Sequence, residues 1–244
     1  MHSILETIQN EQRSLAILID PEKTLPSTFD VLILQIQKFA EQAQKRAFVN
    51  QLLIFVGGST MRAIDFDSWV KSLSSLTQIP IVIFPGSHEQ LSESARGLLF
   101  LNLLSGLNPD YLVTQQVQAA NKLKGSKLEI IPTAYLLLDG GKETAVQRVS
   151  QTTPISQEAI EIITDTAFAG QLMGNDLIYL EAGSGALRPV SPEVIKAVCE
   201  TVNIPVLAGG GIRDFNTMNQ AYEAGASVVV VGTAMEDGEF RYEQ

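Results

Sequence analysis

The chain is poor in the features that mark secreted and membrane proteins. Its 244 residues include one cysteine, Cys199, so no disulfide can form within the chain and a reducing compartment is expected. No apolar run approaches the roughly 18 residues of a membrane span, and no basic segment followed by a long apolar run opens the chain. The sequence therefore predicts a cytoplasmic protein without stable membrane insertion.

Positive charge is also scarce. The chain has 17 lysine and arginine residues against 27 aspartate and glutamate residues, a formal net charge of −10. General electrostatic attraction to nucleic acid or to an anionic membrane is therefore not expected. A small anion needs local backbone N–H groups, a lysine or a metal ion instead. With 45% hydrophobic and 18% charged residues, the composition is that of a globular protein.

Short apolar runs alternate with amphipathic stretches along the whole chain. Continuous apolar runs are typical of parallel strands that are buried on both faces. Eight of them occur, at residues 15–19, 52–56, 81–84, 98–101, 130–135, 176–181, 205–208 and 228–231. Helical patterns lie between them at residues 28–47, 111–124, 157–173 and 216–224, and from Pro192 onward. This order predicts a single α/β domain over residues 1–244, a (β/α)₈ TIM barrel, with a doubly wound open sheet as the alternative.

The barrel is expected to be modified in one or two places. The helical pattern is weak after the third strand and after the fifth, where residues 139–156 are also compatible with a long loop. Residues 234–244 alone follow the last strand, so the closing helix must be short.

Glycines gather where the predicted strands end, above all at residues 209–211 and at Gly232. The active sites of barrels lie at that face, and glycines let backbone N–H groups approach an anion closely. The pair of glycine loops after strands seven and eight favours a phosphate site, although such glycines also serve simply to turn the chain. Arg213 could contact phosphate, but an ion pair, or Asp214 as a helix cap, is the favoured interpretation.

The sixth strand ends in Tyr179-Leu180-Glu181-Ala182-Gly183-Ser184-Gly185. Tyr179 and Glu181 lie on the same side of that strand because side chains alternate. If that side is the barrel interior, Glu181 can accept hydrogen bonds from substrate hydroxyl groups and act as a base. The alternative is a glutamate paired with a lysine or arginine of the barrel.

Asp20 ends the first strand and Ser59 follows the second. A carboxylate and a hydroxyl are a typical protein contribution to a Mg²⁺ site, although Asp20 could equally cap a turn before Pro21. Lys23 could approach a diphosphate or remain solvated. His88 is expected to be a solvated loop residue, and Cys199 a buried core thiol.

These segments resemble a known family, geranylgeranylglyceryl phosphate synthase and its bacterial relatives. The resemblance rests on segments that occur in order over nearly the whole barrel: residues 20–23, Val56-Gly57-Gly58-Ser59-Thr60, residues 80–87, residues 179–185, residues 207–212 and residues 229–234. Where some members of the family have a lysine two residues before the aspartate, this chain has Leu18. Residues 108–113 are similar to a region of the family that is often an oligomer contact.

The resemblance implies a modified TIM barrel that joins sn-glycerol 1-phosphate to a prenyl diphosphate, with geranylgeranyl diphosphate as the expected donor. It also implies Mg²⁺ as cofactor and a homo-oligomer. It implies Asp20 and Ser59 as metal ligands and Glu181 as the catalytic base. The residues implied to bind glycerol phosphate are Tyr179, Leu180, Glu181, Ala182, Gly183, Ser184, Gly185, Gly210, Gly211, Gly232 and Thr233.

Two other functions compete with this one. The first is an isomerase or lyase that acts on a sugar phosphate, and the second is a phosphate-binding scaffold without catalysis. No lysine ends a strand as a Schiff base would require, which argues against the aldolase type of lyase. No Asp-Asp-x-x-Asp motif occurs, which argues against an all-helical prenyltransferase.

Overall fold

The strands of the chain close into a barrel. The structure, a computed structural model, describes residues 3–10, 13–59 and 64–241. Strand β1 pairs in parallel with β2 on one side and with β8 on the other, which closes the sheet. The strands are β1 (Ser14–Ile19), β2 (Gln51–Val56), β3 (Ile81–Ile83), β4 (Gly97–Leu103), β5 (Glu129–Leu137), β6 (Leu177–Glu181), β7 (Val206–Gly209) and β8 (Val228–Val231). The predicted TIM barrel is confirmed, and the open sheet is wrong.

Helices cover the outside of the barrel at most of the predicted places. In the described ranges they are α1 (Ile4–Asn10), α2 (Phe29–Ala47), α3 (Phe66–Ser74), α4 (Gln115–Leu123), α5 (Ala145–Ser150), α6 (Ile160–Leu172), α7 (Pro192–Thr201), α8 (Phe215–Glu223) and α9 (Thr233–Glu236). A 3₁₀ turn (Pro26–Thr28) precedes α2, and a π-helical turn (Asp110–Thr114) leads into α4. No helix in these ranges has both the length and the apolar character needed to cross a bilayer.

Local capping explains where α7 and α8 begin. The Ser191 side chain accepts a hydrogen bond from the Val194 N–H, and Pro192 occupies the first turn of α7. Asp214 does the same for α8, where its carboxylate accepts from the Thr217 N–H at 2.8 Å. The interpretation of Asp214 as a helix cap is thus confirmed.

The core has two layers because strand side chains alternate. Ile178 and Leu180 of β6 point outward and pack in the layer between strands and helices. Leu177 and Tyr179 point inward into a separate interior cluster. Glu181, two residues beyond Tyr179, therefore also lies on the interior side, at the carboxyl end of the strand.

Helix α1, which the sequence analysis did not predict, covers the opposite end of the barrel. Its Ile4 and Ile8 side chains are buried in the interior cluster. The Glu129 carboxylate, at the start of β5, accepts the backbone N–H groups of Ile4 and Leu5. These are N–H groups that a helix leaves without internal partners. The barrel is thus closed at its base.

The helical ring is modified at the weakly predicted positions. Residues 84–96, between β3 and β4, form turns and irregular backbone and contain no helix. Residues 139–156 include the six-residue α5, so a pure loop there is wrong. The closing helix α9 has four residues, so the prediction of a short closing helix is confirmed.

Candidate active site

A cavity of about 560 Å³ opens above the carboxyl ends of the strands. The glycine loops after β6, β7 and β8 line one end together with Asp20 and Ser59. The other end lies over β3, β4 and β5. It is lined mainly by apolar and aromatic side chains: Phe84, Leu91, Leu98, Leu99, Phe100, Leu101, Leu103, Tyr111, Ala119, Val146 and Val149. The cavity thus joins a polar region to an apolar one.

Glu181 is a buried carboxylate in the wall of this cavity, with 5% of its surface exposed. Its Oε1 accepts the Gly183 N–H at 2.6 Å. Burial raises the pKa of Glu181, and the Tyr179 hydroxyl and the Gly183 N–H offset this effect only in part. Within the described part of the chain no lysine or arginine forms an ion pair with it, so the alternative of a paired barrel glutamate is wrong.

Tyr179 lies deeper in the barrel and lines the cavity from below. Its ring contacts Phe84 at 5.1 Å and Tyr135 at 5.4 Å between ring centroids. Its hydroxyl lies close enough to the Glu181 carboxylate to stabilise the negative charge, but the contact falls short of hydrogen-bond geometry, and the hydroxyl has no other partner among the described residues. A buried hydroxyl without a partner is costly, so this one is available to a polar ligand.

Gly209 and Gly210 allow the seventh strand to approach this pair. A methyl group on Gly209 would come within 2.6 Å of the Tyr179 hydroxyl and 3.1 Å of Glu181 Oε2. A methyl group on Gly210 would come within 2.6 Å of Glu181 Oε1. Any larger residue at either position would displace the carboxylate.

The glycine loops present backbone donors to the cavity. The N–H groups of Gly185, Gly211 and Thr233 donate to no protein acceptor within the described ranges. A hydrogen bond of 2.7 Å between the Ser184 and Thr233 hydroxyls joins the loops after β6 and β8. Gly183, Gly210 and Gly232 also line the cavity. We call the lining residues 183–185, 210–211 and 232–233 the anion cup.

Two residues of the predicted glycerol phosphate set do not line the cavity. The side chains of Leu180 and Ala182 are fully buried in the layer between strands and helices. The Ala182 N–H is already bonded to the Gly209 carbonyl. Alternation along the strand turns both side chains outward, so their side chains cannot contact a ligand in the cavity.

The two candidate metal ligands, Asp20 and Ser59, line the same end of the cavity. A methyl group on Gly58, next to Ser59, would lie 2.8 Å from Asp20 Oδ1, so the strand ends approach closely. Burial raises the pKa of Asp20, whose Oδ1 accepts the Glu22 N–H. Among the described residues no three histidine, cysteine or acidic side chains form a metal-binding group. Thr60 of the same motif lies outside the described residues.

Lys23 and Arg213 are held by protein groups. Lys23 Nζ lies 3.5 Å from Glu236 Oε2, while Glu236 Oε1 accepts the Asp20 N–H at 2.9 Å. Arg213 donates to the Gly185 carbonyl at 3.4 Å. Glu236 thereby connects α9 to the turn after β1.

The two residues that were expected to be inert differ from each other. His88 is half-buried, and its Nδ1 lies 2.8 Å from Gln115 Oε1, so a fully solvated histidine is wrong. Cys199 is half-buried against the outer core, so a fully buried thiol is wrong, but this partial burial raises the pKa of the thiol to about 11, which fits a structural residue.

Sequence comparison assigns the chain to a family. A model of the PcrB family matches residues 8–244. The chain belongs to the PcrB family. A geranylgeranylglyceryl phosphate synthase of Zunongwangia profunda is 46% identical over 241 residues, 99% of this chain and 98% of that protein. The enzyme of the same name from Flavobacterium johnsoniae is 46% identical over 234 residues, 96% of this chain and 92% of that protein.

A solved structure agrees with this assignment to the PcrB family. It is the crystal structure of (S)-3-O-geranylgeranylglyceryl phosphate synthase from Thermoplasma acidophilum in complex with its substrate sn-glycerol-1-phosphate. That chain is 32% identical, with a TM-score of 0.81 over 97% of this chain and 92% of that chain.

Sequence reasoning missed Gln90, which helps to build the site of this PcrB-family barrel. The Gln90 side chain is 2% exposed and donates to the Gly58 carbonyl at 2.8 Å, while its Oε1 accepts the Gly86 N–H at 3.0 Å. It therefore ties the loops after β2 and β3 together beside Ser59. Gln90 lies in an irregular segment without periodicity, so no pattern in the sequence indicated it.

Proposed function

We propose that the chain is a geranylgeranylglyceryl phosphate synthase, a prenyltransferase that forms an ether bond between sn-glycerol 1-phosphate and geranylgeranyl diphosphate. The observation that carries the proposal is the two-sided cavity, with a buried carboxylate in its wall. A glycerol phosphate and a polyprenyl chain differ in polarity, and one cavity with a donor-rich end and an apolar end suits both.

The anion cup supplies the phosphate site of this proposal. Its unpartnered backbone N–H groups can donate to phosphate oxygens without the desolvation of a buried cation. The Tyr179 hydroxyl and the Glu181 carboxylate lie beside Gly209 and Gly210, where they can bind the hydroxyl groups of glycerol. Leu180, in β6, and Ala182, directly after it, contribute through their backbone, which holds these groups in position.

Glu181 takes the proton in the proposed reaction. The oxygen of the 3-hydroxyl of glycerol phosphate forms a bond to the first prenyl carbon, the bond from that carbon to the diphosphate oxygen breaks, and the hydroxyl proton passes to the carboxylate. The raised pKa of Glu181 makes its carboxylate a stronger base than a solvated glutamate. The backbone hydrogen bond from Gly183 fixes the carboxylate, so that the base and the nucleophile are oriented before reaction.

Asp20 and Ser59 would hold Mg²⁺. A carboxylate and a hydroxyl are oxygen donors of the kind that Mg²⁺ prefers, and they suit an ion that keeps several water ligands and binds substrate phosphates. A Mg²⁺ ion held there would supply positive charge to offset the negative charge of the diphosphate leaving group. Gln90 positions the Ser59 end of this pair, and Glu236 positions the Asp20 turn.

The apolar end of the cavity would receive the prenyl chain. Residues 84–96 connect β3 to β4 without a helix, and Phe84 and Phe100 line this end of the cavity and are partly exposed. Burial of the prenyl chain against these side chains would contribute about 25 cal/mol of binding free energy for each Å² of apolar surface removed from water.

The proposal places the enzyme in the cytoplasm as a homo-oligomer. The single cysteine fits a reducing compartment. Val113, with 59% of its surface exposed, and Val117, with 66%, form an apolar surface on the helical segment after β4. Such a surface is suited to contact between subunits.

The test is to incubate the protein with radiolabelled sn-glycerol 1-phosphate, geranylgeranyl diphosphate and Mg²⁺, and to identify the lipid product by mass spectrometry. We expect the ether product, a much smaller yield with sn-glycerol 3-phosphate, and loss of product in the Glu181→Ala variant. Binding of glycerol phosphate without turnover would support the scaffold instead. Conversion of sugar phosphates without ether formation would support an isomerase or lyase.

A further inference from the structure

The loop between β5 and α5 is bonded to the loop after β6, which carries residues 183–185 of the anion cup. The Gly140 carbonyl accepts the backbone N–H groups of Leu187 and Arg188 at 2.9 and 3.0 Å. The Arg188 guanidinium forms an ion pair with Asp139 at 2.9 Å. The Thr144 side chain caps α5 by accepting the Gln147 N–H. Residues 139–144 therefore have a defined position above the loop after β6.

Lys142 extends from this loop to the cup. A methyl group on Gly185 would lie 2.9 Å from the Lys142 ammonium, so the cation lies against the backbone of Gly185. Both residues line the cavity. Lys142 is solvent-exposed, and it can therefore adjust its side chain toward a ligand in the cup without any change in the core.

The other cations of the cavity are already engaged. Lys23 pairs with Glu236, and Arg148 pairs with Glu143 at 3.4 Å. Arg213 donates to the Gly185 carbonyl. Among the described residues no acidic group lies within ion-pair distance of Lys142 or of Arg213, but the Arg213 guanidinium already donates to a carbonyl, whereas no hydrogen bond from the Lys142 ammonium is seen. Leu18 brings an apolar side chain to the β1 side of the cup, 3.4 Å from where a methyl group on Gly232 would be.

The charge of the site favours such a cation. The protein carries a net charge of −10, and Glu181 and Asp20 both lie in the wall of the cavity. A phosphate dianion in the cup would be repelled by these carboxylates, while backbone N–H groups supply only partial positive charge. We infer that Lys142 is the cation that binds the phosphate of glycerol phosphate, closing the anion cup from the β5 side. This inference rests on the proposed function for the identity of the ligand.

The test compares Lys142→Met and Lys142→Arg with the control Lys124→Met, an exposed lysine that does not line the cavity. Calorimetry measures the dissociation constants of sn-glycerol 1-phosphate and inorganic phosphate without prenyl diphosphate. For Lys142→Met we expect both constants to rise about fivefold to tenfold, with weaker dependence on salt. For Lys142→Arg and the control we expect values within about twofold of the original protein. Thermal unfolding should be unchanged in all three variants.

Steady-state kinetics shows whether Lys142 binds the phosphate of glycerol phosphate or the diphosphate of the prenyl substrate. The KM for glycerol phosphate should rise in Lys142→Met, while the KM for prenyl diphosphate and kcat at saturation should not change. An equal rise in both KM values, or a rise confined to prenyl diphosphate, would overturn the assignment. So would unchanged binding of glycerol phosphate in Lys142→Met. If no ether product forms but the phosphate constants change as expected, the proposed function fails and the role of Lys142 stands. If the original protein binds neither anion, both fail.

Discussion

Gly210 is a position at which both the backbone conformation and the shape of the site require glycine. Its φ of +83° lies in the left-handed region, and a methyl group there would come within 2.6 Å of both Glu181 Oε1 and the Gly183 nitrogen. Gly210→Ala therefore adds two costs, a backbone cost and a steric cost. Gly174 offers a matched control, because its φ is +90° and a methyl group there would meet nothing within 4 Å.

The two costs can be estimated separately. Placing alanine in the left-handed region costs about 1 kcal/mol. Forcing a methyl group into a filled site costs about 2 kcal/mol more. For a domain of this size 1 kcal/mol lowers Tm by about 3 °C, so we expect Gly174→Ala to lose about 3 °C and Gly210→Ala about 9 °C.

Calorimetry and ligand binding test this expectation. Differential scanning calorimetry gives the two Tm values, and titration with sn-glycerol 1-phosphate gives the dissociation constants. The control should bind as the original protein does, whereas Gly210→Ala should lose at least about tenfold in affinity because the Glu181 carboxylate is displaced. Equal Tm values for the two variants, or unchanged binding in Gly210→Ala, would refute the steric argument.

Three further substitutions test the rest of the site. Glu181→Gln should lower kcat/KM by about 10²–10⁴. The pKa of Glu181 is raised above the roughly 4.3 of an ordinary glutamate, so in the original protein kcat/KM should fall as the pH drops below that raised pKa. The same acidic fall of kcat/KM in the Glu181→Gln variant would contradict the assignment. Asp20→Asn should raise the Mg²⁺ concentration needed for half-maximal activity by about tenfold, with metal-free binding of glycerol phosphate unchanged as the control. Gln90→Leu leaves the Gly58 carbonyl and the Gly86 N–H without their Gln90 partners. Chemical denaturation should therefore show that the free energy of unfolding falls by about 1–3 kcal/mol. An unchanged denaturation midpoint would show that these hydrogen bonds contribute nothing to stability.

The residues of β6 show how much of the site can be predicted from the sequence of one strand. Alternation by itself places Tyr179 and Glu181 on one face and Leu180 on the other. Which face is interior depends on closure of the barrel, because only the ring of neighbouring strands makes one side the inside. The raised pKa of Glu181 has the same origin, since the carboxylate is desolvated by strands that are distant in the sequence.

The short apolar runs of the sequence determined the eight strands, and glycine and proline residues determined where most of them end. These are local properties: each buried parallel strand must be apolar on both faces, and each tight turn needs a residue that permits it. The tertiary structure alone decided that α1 covers the base, that Gln90 joins two loops, and that Lys142 reaches Gly185. Each of these contacts joins residues that are far apart or lie in irregular segments, so no local pattern encodes them, and only the closed barrel brings them together.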